Sequence, residues 1–207
     1  MATISATTAR RLSDLPSVDR KSGDVNAIVE TPKGSRAKFE YDQKLALFKL
    51  GGILPEGSTF PFNFGFIPST LAEDGDPLDV LVLMEEPAPT GCLVPVRLIG
   101  VIEAEQTDED GTATRNDRII AVASHSREHA DVESLKILAP HAIEEIEHFF
   151  VSYNQIRGKQ FKPLGRHGAK RAQKLLKRAQ RRRSRKQPGR RTGQSRRSSR
   201  AKAAKAG

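Results

Sequence analysis

The chain has 207 residues, a length that suits one domain of about 150 residues with appendages. Its net charge of +10 is unevenly divided, since residues 165–207 hold 18 Lys and Arg and no acid, whereas residues 1–164 hold 17 basic and 25 acidic residues. The single Cys92 excludes an intramolecular disulfide and predicts a reducing, cytoplasmic location. The longest apolar run is too short for a membrane span and the N-terminus lacks a secretory signal, so no membrane contact is expected.

Short apolar segments dominate the middle of the chain. Residues 1–24 mix Ser, Thr, Arg and Asp with scattered apolar residues, which predicts a disordered arm. From residue 25 onwards, segments rich in β-branched and aromatic residues alternate with Pro and Gly, which predicts strands. These short strands with irregular loops favour a small barrel in a mainly β protein of the α+β class. The predicted strands are 26–31, 36–42, 46–50, 78–84, 93–104 and 118–123.

Two helices are predicted after the strands. Apolar residues recur at helical spacing from Ile143 to Tyr153, which predicts a helix that packs on the body. A second helix over 168–180 has only a thin stripe of Ala and Leu, so it is expected to dock weakly and to run on into R-R-R-S-R-K at 181–186. The domain is therefore predicted to span 25–180, followed by a disordered basic tail at 181–207.

The most informative segment holds Asp74, Asp76 and Asp79 immediately before a predicted buried strand. Pro77 disfavours a helix before it, so the first two aspartates should form an extended turn. Three neighbouring carboxylates repel one another unless cations neutralise them, and carboxylate oxygens select hard cations such as Mg²⁺ or Mn²⁺. The spacing does not fit an EF-hand; a solvated turn is the alternative.

The strand at 36–42 has a wholly charged face. Alternation places Lys38 and Glu40 on that face, together with Arg36 and Asp42. Cross-strand ion pairs on a solvated strand would explain this pattern. The functional alternative is a Lys that binds a phosphoryl oxygen beside a Glu that holds a metal-bound water.

The motif D-G-D-P-L-D-V at 74–80 resembles the signature of soluble family I inorganic pyrophosphatases. The resemblance covers about residues 26–180. It implies a five-stranded OB-like barrel flanked by two helices, hydrolysis of pyrophosphate with several Mg²⁺ ions, and a homo-oligomer. Agreement extends through E-T-P at 30–32, K-F-E at 38–40, F-P-F-N-F-G-F-I at 60–67, A-V-A-S-H at 121–125 and H-F-F-V-S-Y at 148–153.

The resemblance also implies roles for single residues. Asp74 and Asp79 would bind metal, and Asp76 would accept a proton from the attacking water. Tyr153 would donate its phenol to a phosphate, although a helical Tyr in an apolar stripe can equally belong to the core. The remaining implied roles are phosphate binding by Lys38 and Arg118, water and metal positioning by Glu30 and Glu40, and metal binding by Asp108 and Asp117.

The chain departs from the family pattern mainly on the phosphate side. A family Arg after the third strand is missing near Gly51, where only Lys49 is a possible substitute. Phe64 replaces a usual Tyr, and Asn154 replaces a usual Lys. In the metal slot before Arg118, the pattern without a bulge selects Asn116, while a one-residue bulge selects Asp117.

These departures leave three functions open. The first is a metal-dependent pyrophosphatase, and the second is a hydrolase of another phosphoanhydride or phosphate ester. The third is a non-catalytic barrel that binds nucleic acid or polyphosphate, although the absence of Trp and the acidic body oppose that role for the barrel. Residues 181–207 are predicted to bind nucleic acid or polyphosphate without sequence specificity, because they are basic and contain no aromatic residue.

Overall fold

The computed structural model describes residues 11–186. A single turn of 3-10 helix at Leu12–Asp14 precedes nine strands and two α-helices. The strands are β1 (Val25–Thr31), β2 (Ala37–Asp42), β3 (Leu47–Ile53), β4 (Asn63–Ile67), β5 (Leu78–Leu83), β6 (Leu93–Thr107), β7 (Ala113–Arg115), β8 (Arg118–Ala123) and β9 (Gln160–Gly168), and the helices are α1 (Pro140–Ile156) and α2 (Ala169–Lys186).

Five strands close into a ring. The pairing order β1-β4-β5-β8-β6 is completed by antiparallel pairing of β1 with β6. The pairs are antiparallel except for β5 and β8, which run parallel. This ring confirms the predicted five-stranded barrel, and the 15-residue β6 continues beyond it to pair with β7 and β9.

Both faces of the ring strands are buried, which explains their nearly continuous apolar sequences. Alternate residues of β5, such as Val80 and Leu81, belong to two different hydrophobic clusters. One cluster includes the inner face of α2, and the other includes α1. Gly65 in β4 allows close approach of β1, because a Cβ there would lie 1.9 Å from the carbonyl oxygen of Ile28.

The hairpin of β2 and β3 forms a separate two-stranded sheet. Its pairing shifts register between Lys38 and Phe39. Three strands differ from the sequence-based expectation, since β4, β7 and β9 were not predicted. In β9 the reason is exposure: Phe161 is its one buried side chain, so the strand has little apolar pattern.

The ends of the domain also differ from the expected boundaries. Within the predicted arm, residues 11–24 are folded onto the body: Ser13 and Ser17 are buried, and Val18 forms a bridge with Val25. At the other end, α2 continues to Lys186, which lies beyond the predicted domain end at 180 but agrees with the expected continuation of the second helix into 181–186. The predictions for residues 1–10 and 187–207 concern parts of the chain outside the described residues. Neither of the two described helices is long and apolar enough to cross a membrane.

Candidate active site

A cavity of about 720 Å³ opens between the β2–β3 hairpin, the loop before β5 and the C-terminal half of α1. Eight of the ten residues proposed from the sequence line it. Acidic and basic side chains both contribute to its wall.

Among the ten predicted residues, only Asp108 and Asp117 are missing from the cavity wall. The eight come from separate parts of the chain, so the fold brings together residues that the sequence only suggested singly. They are Glu30, Lys38, Glu40, Asp74, Asp76, Asp79, Arg118 and Tyr153.

The loop before β5 holds the three aspartates at the cavity. The backbone N–H of Asp76 donates to Oδ1 of Asp74 at 3.0 Å, and the N–H of Ala72 donates to the carbonyl of Asp76 at 2.7 Å. Thr70 Oγ1 accepts the N–H of Leu78 at 2.9 Å, which fixes the point where the loop enters the strand. Asp79 therefore starts from the rigid sheet, whereas Asp74 and Asp76 lie on a hydrogen-bonded turn.

The carboxylates on this side have raised pKa values. Asp74 and Asp76 are accessible from the cavity, yet the surrounding walls remove part of their solvent. This burial raises the pKa of Asp74 to about 6, with a further rise from the charges of Asp79 and Asp76. It also raises the pKa of Asp76, and the Asp79 and Glu40 charges add to that rise.

Glu30 is the most deeply buried acid of the cavity. Burial raises its pKa to about 7, while Lys38 and the Tyr41 N–H, which donates to Oε1 at 2.7 Å, oppose the rise. The Nζ of Lys38 lies 3.9 Å from Oε1 of Glu40 and 4.6 Å from the centre of the Phe64 ring. One buried ammonium thus lies close to two acids of the same wall.

The acidic side fits a hard divalent cation by the chemistry of its donors. Its carboxylates raise one another's pKa, and a cation among them would reverse that effect. Across residues 11–186, no three His, Cys, Asp or Glu side chains already surround a single point. The oxygens that would hold a cation therefore lie along the wall, principally on Asp74, Asp76 and Asp79.

Arg118 lies between the acidic side and an aromatic wall. Its guanidinium donates to Asp79 and to the side-chain oxygen of Asn116. It also lies 4.8 Å from the centre of the Phe150 ring and 5.3 Å from that of Phe161. The residue is 4 % exposed, and its Nε has no hydrogen-bond partner among the described residues.

Tyr153 contributes to both the core and the cavity. Its ring stacks on Phe149 and meets Phe60 edge-on, while its hydroxyl accepts a hydrogen bond from Arg157. The Arg157 guanidinium is also 3.7 Å from Oε1 of Glu40. Burial raises the pKa of the Tyr153 hydroxyl, so the phenol is protonated and can donate to an anion.

Arg157 is a cavity residue that the sequence analysis missed. Its position could have revealed it, because Arg157 follows Tyr153 by four residues at the end of α1, and residues at that spacing lie on one face of a helix. Arg11 and Lys159 line the cavity as well and were also missed. Arg11 belongs to the segment expected to be disordered, which explains why it was not considered.

Asp117 is the first predicted metal ligand that lies outside the cavity wall. Its Oδ1 accepts the Ala104 N–H at 3.1 Å and the Arg115 Nε–H at 2.6 Å, on the side of the barrel away from the cavity. Asn116 takes the cavity position instead, because its backbone N–H bonds to the Ala104 carbonyl at 2.9 Å and leaves no bulge to turn Asp117 inwards. The slot thus holds a neutral amide.

Asp108 is the second predicted ligand outside the cavity wall. Its carboxylate lies 2.9 Å from the Lys159 Nζ and accepts a hydrogen bond from Gln106 at 3.2 Å. Both of those partners line the cavity, so Asp108 lies behind the rim. These contacts lower the pKa of Asp108, chiefly through Lys159. The Asp108 carboxylate therefore holds the Lys159 ammonium at the cavity wall.

The departures on the phosphate side have local structural reasons. A Cβ on Gly51 would lie 2.6 Å from the Glu40 carboxyl carbon, so Glu40 occupies the space beside this glycine. Asn154 is buried and donates to the Phe150 carbonyl at 2.8 Å. Lys49 lies 3.1 Å from the Asp42 carboxylate. Arg157 supplies a cation close to Glu40, on the same part of the wall.

Comparison with known proteins agrees with this site. The sequence model described as inorganic pyrophosphatase matches residues 27–184. A soluble inorganic pyrophosphatase of Arabidopsis thaliana is 43% identical over 134 residues, which are 65% of this chain and 60% of that protein. The chain thus spans about three fifths of this relative's length. An inorganic pyrophosphatase of Nostoc sp. is 39% identical over 154 residues, covering 74% of this chain and 88% of the relative.

A solved structure shows the same fold. The inorganic pyrophosphatase from Thermus thermophilus superposes with a TM-score of 0.77 and 34% sequence identity. The match covers 84% of this chain and 99% of the other. Together with the sequence matches, it confirms the resemblance drawn from the D-G-D-P-L-D-V motif.

Proposed function

Because the chain belongs to the inorganic pyrophosphatase family, we propose that it hydrolyses pyrophosphate to two phosphates at the cavity described above, with Mg²⁺ as its metal. The family is metal-dependent in general. Mn²⁺ is the alternative ion, since the same oxygen donors suit both. The observation that carries the proposal is the side-by-side placement of raised-pKa carboxylates and buried cations in one cavity.

The acidic side prepares the attacking water. Asp74 and Asp79 would hold the metal, with Glu30 and Glu40 positioning metal and water from β1 and β2. When bound, divalent ions lower the pKa of water and stabilise the charge that develops on phosphoryl oxygens. Asp76 would accept the proton of the attacking water, and its raised pKa makes it a stronger base than an ordinary carboxylate.

The basic side binds the substrate oxygens. Lys38 and Arg118 are buried, so their charges act in a partly dehydrated site where electrostatic interactions are stronger. Tyr153 would donate its phenol to a phosphate, and Arg157 holds that hydroxyl. Arg157 itself would contact the outer phosphate, since it is an exposed cation at the cavity wall.

Phosphate release from pyrophosphate tests this proposal. The chain should release phosphate only with Mg²⁺ or Mn²⁺, and Asp76→Asn should abolish most of the release. Turnover of another phosphoanhydride or ester, without turnover of pyrophosphate, would instead support the second function. No turnover of any of these substrates at several metal concentrations would favour a non-catalytic binding protein.

Three further properties stay proposals. The cytoplasm is the proposed location, and a homo-oligomer is the proposed assembly. Non-specific binding of nucleic acid or polyphosphate is proposed for the basic residues from 181 onwards, of which 181–186 belong to α2. Deletion of residues 187–207 tests the remaining part, with retention on heparin as the readout.

A further inference from the structure

The outer face of α2 carries a straight row of exposed cations. The row follows spacings of four, three, four and four residues, which keep all of its members on one side of a helix. Its ends are separated by about 22 Å along the helix axis at 1.5 Å per residue. We call this row the basic stripe; it consists of Lys170, Lys174, Lys177, Arg181 and Arg185.

The rest of α2 holds the basic stripe in a fixed position. Ala172, Leu175, Leu176 and Ala179 are buried against the barrel. Gln180 Nε2 donates to Ser17 Oγ at 2.7 Å near the C-terminal end of the helix. The stripe is therefore a rigid surface feature, and its cations need little ordering when a partner binds.

Nearby acids are paired with other cations of the helix. Glu73 lies 2.6 Å from Arg182, and Asp14 lies 2.8 Å from Arg183. Glu103 is bonded to Arg171. Within residues 11–186, no stripe residue forms a salt bridge with an acid, and α2 contains no acidic residue of its own. The stripe thus presents uncompensated positive charge.

We propose that the basic stripe binds the phosphate backbone of duplex nucleic acid. A duplex offers one negative charge per about 1.7 Å of its axis, so a rigid row of about 22 Å can meet several phosphates at once. Lys177, Arg181 and Arg185 of the stripe line a shallow groove. Lys and Arg side chains commonly donate to phosphate oxygens.

Other polyanionic partners fit this surface less well. A membrane-bound helix needs a free apolar face, and that of α2 is buried against the barrel. A single strand is usually held by stacking on aromatic side chains, and α2 contains none. Protein partners are usually anchored by buried aromatic or apolar residues, which the stripe also lacks.

Duplex binding would place the proposed pyrophosphatase activity where its substrate forms. This link to metabolism rests on the proposed function, whereas the binding itself does not. Nucleotidyl transfer to a growing nucleic acid releases pyrophosphate as its second product. An enzyme docked on the duplex would meet its substrate where that class of reaction produces it. The binding itself is independent of catalysis and can be tested separately.

Fluorescence anisotropy of a labelled duplex of about 20 base pairs tests the proposal over a series of salt concentrations. The full chain should bind with a strong salt dependence. In the variant K170Q/K174Q/K177Q/R181Q/R185Q, the slope of log K against log salt should become shallower by about 4.5, since each of the five lost phosphate contacts removes about 0.9. We expect at least a hundredfold loss of affinity at low salt.

A matched variant separates position from net charge. R190Q/R191Q/R196Q/R197Q/R200Q removes the same charge from residues after α2, and it should lose less affinity than the stripe variant. An equal or greater loss, an unchanged slope in the stripe variant, or no duplex binding by the full chain would each overturn the proposal. Tighter, stripe-dependent binding of a single strand or of polyphosphate would overturn the choice of a duplex.

Pyrophosphate hydrolysis serves as the control for folding. Both variants should keep the wild-type rate and melting temperature, because the stripe lies outside the cavity. A full chain that binds the duplex but releases no phosphate would contradict the proposed function and support duplex binding by the stripe. A full chain that hydrolyses pyrophosphate but does not bind the duplex would support the proposed function and overturn the binding proposal.

Discussion

Two clusters of charged side chains on this barrel have opposite electrostatic characters. The first, which we call the rear cluster, lies outside the cavity and consists of Glu103, Arg115, Asp117 and Arg171. Glu103 forms salt bridges with Arg115 and Arg171, and Arg115 forms another with Asp117. Burial alone would raise the pKa of Glu103, but the two arginines outweigh it and lower that pKa. In the cavity, burial and neighbouring acids instead raise the pKa of Asp74 to about 6.

The difference separates a structural cluster from a functional one. In the rear cluster each acid has a cation in direct contact, so the charges stabilise the folded state by themselves. In the cavity the acids lie close to one another as well as to Lys38 and Arg118, so part of their negative charge is not compensated. Raised pKa values at an open cavity are typical of sites that bind a ligand.

The largest expected effect is that of Asp76→Asn on turnover. Loss of the proton acceptor should lower kcat by about 10³-fold, within the range for removal of a general base. The melting temperature of the metal-free protein should not fall, because the substitution removes a repelled charge. Asp131→Asn, at an exposed acid outside the cavity, is the control and should keep wild-type kcat. A kcat within threefold of wild type for the Asp76 variant would contradict the comparison, taking about threefold as ordinary scatter between preparations.

Glu103→Gln should show the opposite pattern. Two arginines lose their common carboxylate, and we expect about 3 kcal/mol less unfolding free energy, at the lower end for a broken buried pair because both arginines are partly exposed. Urea unfolding measures this loss, and kcat at a temperature where the variant is folded should match wild type. A stable variant with reduced kcat would reverse the roles assigned to the two clusters.

Glu30→Gln should change how stability depends on pH in the metal-free protein. The folded pKa of Glu30, about 7, lies above its ordinary value of 4.5, so the folded state binds the proton more tightly. Stability should consequently fall as pH rises from 4.5 to about 7, by up to about 3 kcal/mol in the wild type. Urea unfolding with a chelator, at about pH 5 and about pH 8, should show a smaller fall in the variant. Equal falls in both proteins would refute this account of Glu30.

The smallest effect is expected for Arg157→Ala. Loss of one charge-assisted contact to substrate should raise KM for pyrophosphate about tenfold and change kcat little. Arg157→Lys keeps the charge and should recover part of the loss, whereas Lys162→Ala, outside the cavity, should have no effect. An unchanged KM in Arg157→Ala would show that this cation is not part of the phosphate-binding side.

The sequence located the cavity through spacing and resemblance. Asp74, Asp76 and Asp79 are close in the chain and precede a strand, so their convergence followed from local structure alone. Lys38 and Glu40 were placed together by strand alternation, and the structure has both of them at the cavity. The number of barrel strands came from the family resemblance, because short apolar runs do not reveal how a sheet closes.

What the sequence could not supply depends on contacts between distant segments. The choice between Asn116 and Asp117 is decided by hydrogen bonds to Ala104, which belongs to another strand. Arg11 required the packing of a segment with too little apolar sequence to predict order. The weak pattern of β9 likewise gains its meaning only from pairing with the long β6.

The parallel pairing of β5 with β8 sets the geometry of one ion pair at the cavity wall. Val80 pairs with Ile119, so Asp79 and Arg118 stand one residue earlier at the same end of adjacent strands. Their ion pair is thus fixed by the sheet and not by any loop. Substitutions in the surrounding hairpin and helix end should therefore leave the geometry of this ion pair at the cavity wall unchanged.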